Sequence, residues 1–363
     1  MNPVNDRIKQ VCDQLDNEAI YHWSLQSKEL FHSNVIAWLF EKYPDAAFEM
    51  LKHWSPSRET TAHRIQREKG NLDLIVEVPR LAPLVIENKV FSPPDESQLD
   101  RYSSKNIDDL VDPVYILLSL GSPHWEESKY VSSSGVEWKY MSYRDLAELI
   151  RKAAVAVHGF DNSLLIRYAE LVEGLQELAD EFSHISDAQT LVLNQETTRV
   201  LKKVRLDSAF VKLRARSVIA YLRDSMTNNA ETKPIKFSAG YTNTEPLVEA
   251  FVQLQNNDEI GWQLQGNQWR LAIRTAHHVG EGENLRQLRF EHVRQNYQAW
   301  FDFSAIPDLI GKSVDKVPTN EKKGIFNRYD PNFVYWHREI PDLTISEIKK
   351  LSEHYINQAQ GWE

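Results

Sequence analysis

Apolar positions are not spread evenly along the chain. Leu30, Phe31, Val35, Trp38 and Leu39 recur at helical spacing in a stretch without glycine, which predicts a helix over 27–53. From 62 to 91 the pattern shortens to three runs, "HRIQRE", "LDLIVEV" and "PLVIENKV". They are divided by Lys69-Gly70-Asn71 and Pro79-Arg80, the punctuation of strands. Pro93 and Pro94 then open a predicted helix that runs to about Lys105. "PVYILLS" at 113–119 and "VEWKYM" at 136–141 predict two more strands. Helical patterns follow at 142–157, 162–182 and 193–226.

Adjacent strands, then a helix crossing to a further strand, predict an α/β fold, a mixed sheet flanked by helices. The polar, aperiodic stretch 226–245 reads as a linker. Beyond it "LVEAFVQL", "IGWQLQ", "QWRLAIRTA" and "NFVYWHREI" predict a second α+β unit. Gly266-Asn267 suits a two-residue hairpin turn with glycine first, and Thr344 and Glu347 have the spacing of a capping box for the last helix. The expected division is 1–190, a basic connecting helix over 191–228, and 229–363.

Composition narrows the function classes. The 363 residues are 42% hydrophobic and 26% charged, the balance of an ordinary globular chain. One cysteine, Cys12, excludes an internal disulfide framework and a multi-cysteine zinc site. No apolar run approaches membrane-span length, and the polar start "MNPVNDRIKQ" is unlike a secretory signal, so no membrane partner and a cytoplasmic location are expected. The net charge of −10 argues against a surface that grips nucleic acid everywhere. Between Arg199 and Arg223, however, eight basic residues stand against Asp207 alone, a local charge of +7. Lys202, Lys203, Arg205, Lys212, Arg214 and Arg216 are the candidate phosphate contacts. The competing reading is a solvated face that pairs with the acidic run at 170–181. Trp262, Trp269, Trp300 and Trp336 are candidates for base stacking, with core packing the better-fitting role.

Candidate chemistry centres on "LVIENKV". Alternate side chains of a strand share a face, so Glu87 and Lys89 point together and Asn88 points away. Asp73, expected in the preceding strand, approaches Glu87 if the two strands pair. Two close carboxylates call for a cation, and a hard divalent ion takes oxygen ligands. The Glu-x-Lys spacing alone has little weight, since it recurs at Glu127/Lys129, Glu137/Lys139, Glu321/Lys323 and Glu347/Lys349. Only the pair at 87 and 89 follows both an apolar run and a strand that carries an aspartate.

"LDLIVE", "LVIENKV" and "QLDRY", in that order, resemble the PD-(D/E)xK nuclease superfamily, with its restriction-endonuclease-like fold. Leu72 stands where the motif's name has proline. The resemblance implies a Mg²⁺-dependent nuclease, with Mn²⁺ able to substitute, acting on nucleic acid, with DNA the expected substrate. It assigns the metal to Asp73, Glu87 and the backbone carbonyl of Asn88. Lys89 becomes the catalytic lysine, and Gln98 with Tyr102 the Gln-x-x-x-Tyr element of one branch. Gln98 also stands at capping-box spacing from Asp95. Glu29, on the first long helix, is a further candidate ligand. Glu68 reads better as an exposed turn residue, and His32 as structural. The resemblance further suggests restriction or anti-phage defence, with a homo-oligomer or a defence-system protein as partner. A non-catalytic nucleic-acid-binding or assembly subunit on the same fold is the alternative. Phosphate-loop, His-Glu-x-x-His and Gly-x-Ser-x-Gly motifs are absent, and His277-His278 lacks zinc-site spacing.

Overall fold

Turn residues and short apolar runs build the first sheet. The computed structural model describes residues 3–27, 29–90, 96–104, 110–123, 125–226, 233–242, 245–314 and 316–362. The chain divides into two units, Met1–Ser183 with Glu196–Phe210, and His184–Gln195 with Val211–Glu363. Among the described residues no helix is long and apolar enough to cross a membrane.

The first unit begins with α1 (Pro3–Asp16) and α2 (Ala19–Ser27), neither of which the apolar spacing predicts. The helix expected over 27–53 is two helices, α3 (Glu29–Lys42) and α4 (Pro44–Leu51). Pro44 at the first turn of α4 causes the division, since proline starts a helix readily but cannot continue one. Next come β1 (Arg64–Arg67), β2 (Leu74–Glu77), β3 (Leu84–Lys89), α5 (Glu96–Ser103), β4 (Val114–Ser119), β5 (Lys129–Val131) and β6 (Glu137–Ser142). Pro93, Pro94, Asp95 and Lys105, placed in the predicted α5 region, lie outside the described residues. The sheet order is β1-β2-β3-β4-β6-β5, antiparallel through the first three strands and parallel from β3 to β4 to β6. This is the expected mixed sheet, with α5 as the crossover to the parallel strand. Ser142 then caps α6 (Tyr143–Ala154) in a reciprocal box with Asp145. Helix α7 (Phe160–Ser183) follows.

The helix expected over 193–226 is broken into α8 (Gln195–Lys203) and α9 (Asp207–Met226). Arg205 has φ 57°. The Leu206 N–H bonds to the Leu201 carbonyl and the Arg205 N–H to that of Lys202. This is a Schellman ending with arginine in the left-handed position usually held by glycine, so composition hid it.

In the second unit, β7 (Ile235–Thr242), β8 (Glu245–Gln253), β9 (Glu259–Gln265) and β10 (Gln268–Arg274) form an antiparallel run. Strand β7 occupies part of the stretch expected to be a linker. It is an edge strand, half-exposed along its length, so it shows no clean apolar alternation. Gln265 pairs with Gln268 across Gly266-Asn267, and of the two turn residues only glycine has positive φ, as the hairpin reading requires. Helices α10 (Glu283–Tyr297), α11 (Ile306–Ile310) and α12 (Thr319–Lys322) precede β11 (Asn327–Tyr329) and β12 (Phe333–Glu339). The chain then enters α13 (Ile345–Gln360), which has the predicted Thr344–Glu347 box. Trp262, Trp269, Trp300 and Trp336 are all buried in this unit's core. Trp262 stacks on Trp269 at 4.7 Å, which leaves them no face for a base.

Candidate active site

Strand register decides whether the acids meet. Leu74 pairs with Ile86, Ile75 with Val85 and Val76 with Leu84. Continued by one residue, this register sets Asp73 opposite Glu87. Asp73 lies in a bend just before β2 rather than within it. The turn that delivers it is tight, with positive φ at Glu68, Gly70 and Asn71 and a bond from the Glu68 N–H to the Asp73 carbonyl. Its carboxylate oxygen Oδ2 accepts the Asn88 backbone N–H at 2.7 Å.

That bond also locates the Asn88 carbonyl. In a strand, the N–H and C=O of one residue point to the same side, and successive residues alternate. The Lys89 carbonyl accepts the Leu120 N–H, on the side of β4. The Asn88 carbonyl therefore faces the side of Asp73, beyond the end of the β2 ladder.

The Asn88 side chain has a separate task. It is buried, and its amide donates to the Glu29 carbonyl at 3.1 Å and to Ser33 Oγ at 3.0 Å, while the Tyr143 hydroxyl donates to its Oδ1. It thus ties β3 to the first turn of α3 and to the start of α6, and holds Glu29 near the acids. Asn88→Ala strands these buried polar groups, at about 1–3 kcal/mol each for those left unpaired. A loss of about 2–4 kcal/mol in urea unfolding is expected; an unchanged midpoint would show that the tie carries no stability.

On the opposite face Leu99 of α5 packs with Ile75, Val85, Leu117 and Trp138. This docking turns Gln98 toward the sheet. Its amide donates to Glu87 Oε1 at 3.2 Å and to the Tyr102 hydroxyl. Lys89 Nζ donates to the same Glu87 oxygen at 2.8 Å. The other oxygen, Oε2, is buried with no hydrogen-bond partner among the described residues. Asp73, Glu87, Lys89, Gln98 and Tyr102 are therefore brought to one end of β3, with Glu29 close enough to act on their charges.

Burial pushes Glu87 up to about 7, and the Asp73 and Glu29 charges add to the shift against the pull of Lys89. Burial also raises Asp73, although the Asn88 N–H and Lys89 oppose it. For Lys89 burial acts downward, but Glu87, Glu29 and Asp73 outweigh it and the net shift is upward, so its ammonium stays charged. Three carboxylates thus share one ammonium. The surplus negative charge, the all-oxygen donor set and the orphaned Glu87 Oε2 fit a hard divalent cation.

Two neighbours stand apart from this group. Glu68 is exposed at its turn, and its side chain acts on Asp73 through its charge. His32 is fully buried, its Nδ1 3.0 Å from the Tyr168 hydroxyl, and burial pulls it down to about 3, so it is a neutral core residue.

The basic run does not form one exposed face. Arg214 lies on the side of α9 that also carries Val218 and Leu222, and it is buried. Its guanidinium donates to the Thr190 carbonyl through Nε at 3.0 Å and Nη2 at 2.7 Å, and burial pulls it down to about 10. Lys203 pairs with Asp16 at 2.6 Å and Asp13 at 3.5 Å, and Lys212 lies 5.8 Å from the Tyr241 ring. Lys202 and Arg205 are exposed, and Arg216 is half-buried. Helical periodicity turns Arg214 inward, so counting charges along the sequence overstated the patch.

Residues 18–170 match the family model of the PD-(D/E)XK nuclease superfamily. Over those residues the first unit is similar to that superfamily, and it has the mixed six-stranded sheet the resemblance implied. No curated protein and no solved structure matches the chain. Sequence reasoning missed Ser33 and Tyr143, which hold Asn88. Nothing in their local pattern marks them, because their partner is 55 residues away in each case.

Proposed function

We propose that this chain is a Mg²⁺-dependent nuclease that hydrolyses phosphodiester bonds of DNA. The observation that carries the reading is the buried Glu87 Oε2 beside Asp73, unpartnered among the described residues, with the Lys89 ammonium on the same strand face. Asp73, Glu87 and the Asn88 carbonyl would hold the cation, with Glu29 as an additional carboxylate. When bound, Mg²⁺ supplies charge to a phosphate oxygen and acidifies a coordinated water.

The protein groups have separable tasks. Glu87, pushed up to about 7, must lose its proton to act as a ligand, so cation binding releases a proton below that pH. Lys89 keeps its charge, so it has no lone pair with which to take a proton. It serves by donating a hydrogen bond to the attacking water and by offsetting charge that builds on the phosphate. Gln98 holds Glu87 Oε1 in place and Tyr102 holds Gln98. Lys202, Arg205 and Arg216 remain the candidates for phosphate contact within the basic run. Service in restriction or anti-phage defence rests on the superfamily alone.

The test is incubation of purified protein with linear, circular and single-stranded DNA, with and without Mg²⁺. Cleavage only with Mg²⁺ is expected. Binding of DNA without cleavage under any divalent ion would instead make the chain a nucleic-acid-binding or assembly subunit.

A further inference from the structure

We propose that the second unit carries a transition-metal site of the zinc class, built from Asp258, His277 and His292. One donor atom from each lies within 4.8 Å of the others. Two histidine nitrogens and a carboxylate oxygen form a donor set suited to zinc rather than magnesium. The site lies wholly in the second unit and does not rest on the nuclease reading.

Three separate segments deliver the ligands. Asp258 ends the turn between β8 and β9, and His277 follows β10. The register Glu259–Arg274 continues to Asp258–Thr275, so these two loops lie side by side. His292 projects from α10. The sequence pair His277-His278 shows no zinc spacing because its companions come from 19 positions before His277 and 15 after it.

The ligands are held before any ion arrives. Asp258 is fully buried. Its Oδ1 accepts the Ala276 N–H at 2.7 Å, and its Oδ2 accepts from the Tyr297 hydroxyl at 2.6 Å and from Asn256 Nδ2 at 3.2 Å. Donors of this kind orient a ligating carboxylate. The backbone of His277 is locked by buried Thr275, whose hydroxyl accepts the His277 N–H at 2.9 Å and donates to its carbonyl at 3.0 Å.

His292 Nε2 lies 2.8 Å from Asp258 Oδ2. Two donors bound to one tetrahedral zinc, each about 2.1 Å from it, stand about 3.4 Å apart. Opening this contact by about half an ångström therefore admits the ion. Coordination through Nε2 moves the ring proton to Nδ1. Three protein donors leave one position for water.

The test uses the full chain, stripped with a chelator, loaded with Zn²⁺ and desalted. One retained zinc per chain is expected, and Co²⁺ in its place should give the visible ligand-field bands of a tetrahedral site. His277 is exposed, so His277→Ala should stay folded and lose both signals. His292→Gln should lose them too, while Glu87→Gln in the first unit keeps them. A wild-type chain that retains no zinc overturns the proposal. So does a His277→Ala chain that retains a full equivalent with an unchanged Co²⁺ spectrum.

Discussion

Lys89→Ala is expected to abolish Mg²⁺-dependent cleavage while leaving the fold intact. The Lys89 side chain is 11% exposed, and it is ion-paired with Glu87. Removing it leaves Glu87 Oε1 bonded to Gln98, and Glu87, already near 7, can take a proton to relieve the added repulsion. The apolar packing of Ile75, Val85, Leu99 and Leu117 is untouched. Chemistry should suffer far more than stability, because the charge proposed to face the attacked phosphate is gone. Losing one such group typically costs about 10²–10⁴-fold in rate. Single-turnover cleavage with a circular dichroism control measures this. Cleavage at the wild-type rate would remove Lys89 from the proposed mechanism.

The second large effect is on stability. In metal-free protein Glu87→Gln should stabilise the fold at pH 8 and not at pH 4. Glu87 lies at about 7 in the folded chain against an ordinary 4.5, so the folded state holds this proton more tightly. As pH rises from about 4.5 to about 7, that advantage is lost, and above it a buried carboxylate charge opposes folding in full. Glutamine retains an oxygen for Lys89 and Gln98 and carries no charge. The expected gain is on the order of 1–2 kcal/mol at pH 8, below the full value of the shift because the Lys89 pair is weakened. Urea unfolding in chelator at both pH values tests it. A gain of equal size at both would assign the effect to packing instead.

Much of the first unit was legible in the chain. Its strands are short apolar runs between glycine, proline and asparagine, and local chemistry is enough to delimit them. The register of β2 and β3 was not legible, yet it decides whether Asp73 faces Glu87. The helix break at Arg205 was hidden because an arginine fills a position where glycine would have signalled the end. Strand β7 was missed because an edge strand needs no apolar alternation. Arg214 shows the limit of counting charge, since its inward direction depends on which face of α9 meets the core. Asp258, His277 and His292 were invisible for the same reason as Tyr143: each gains its chemistry from partners distant in sequence.

The convergence of Asp73, Glu87 and the Asn88 carbonyl into one cation site is the central claim. Mn²⁺ titration tests it most directly, comparing the otherwise wild-type chain with Glu87→Gln. Both should carry His277→Ala so that the second unit does not contribute. Saturable binding with proton release below about pH 7 is expected, lost when Glu87 becomes glutamine. Equal Mn²⁺ affinity in the two proteins would contradict it.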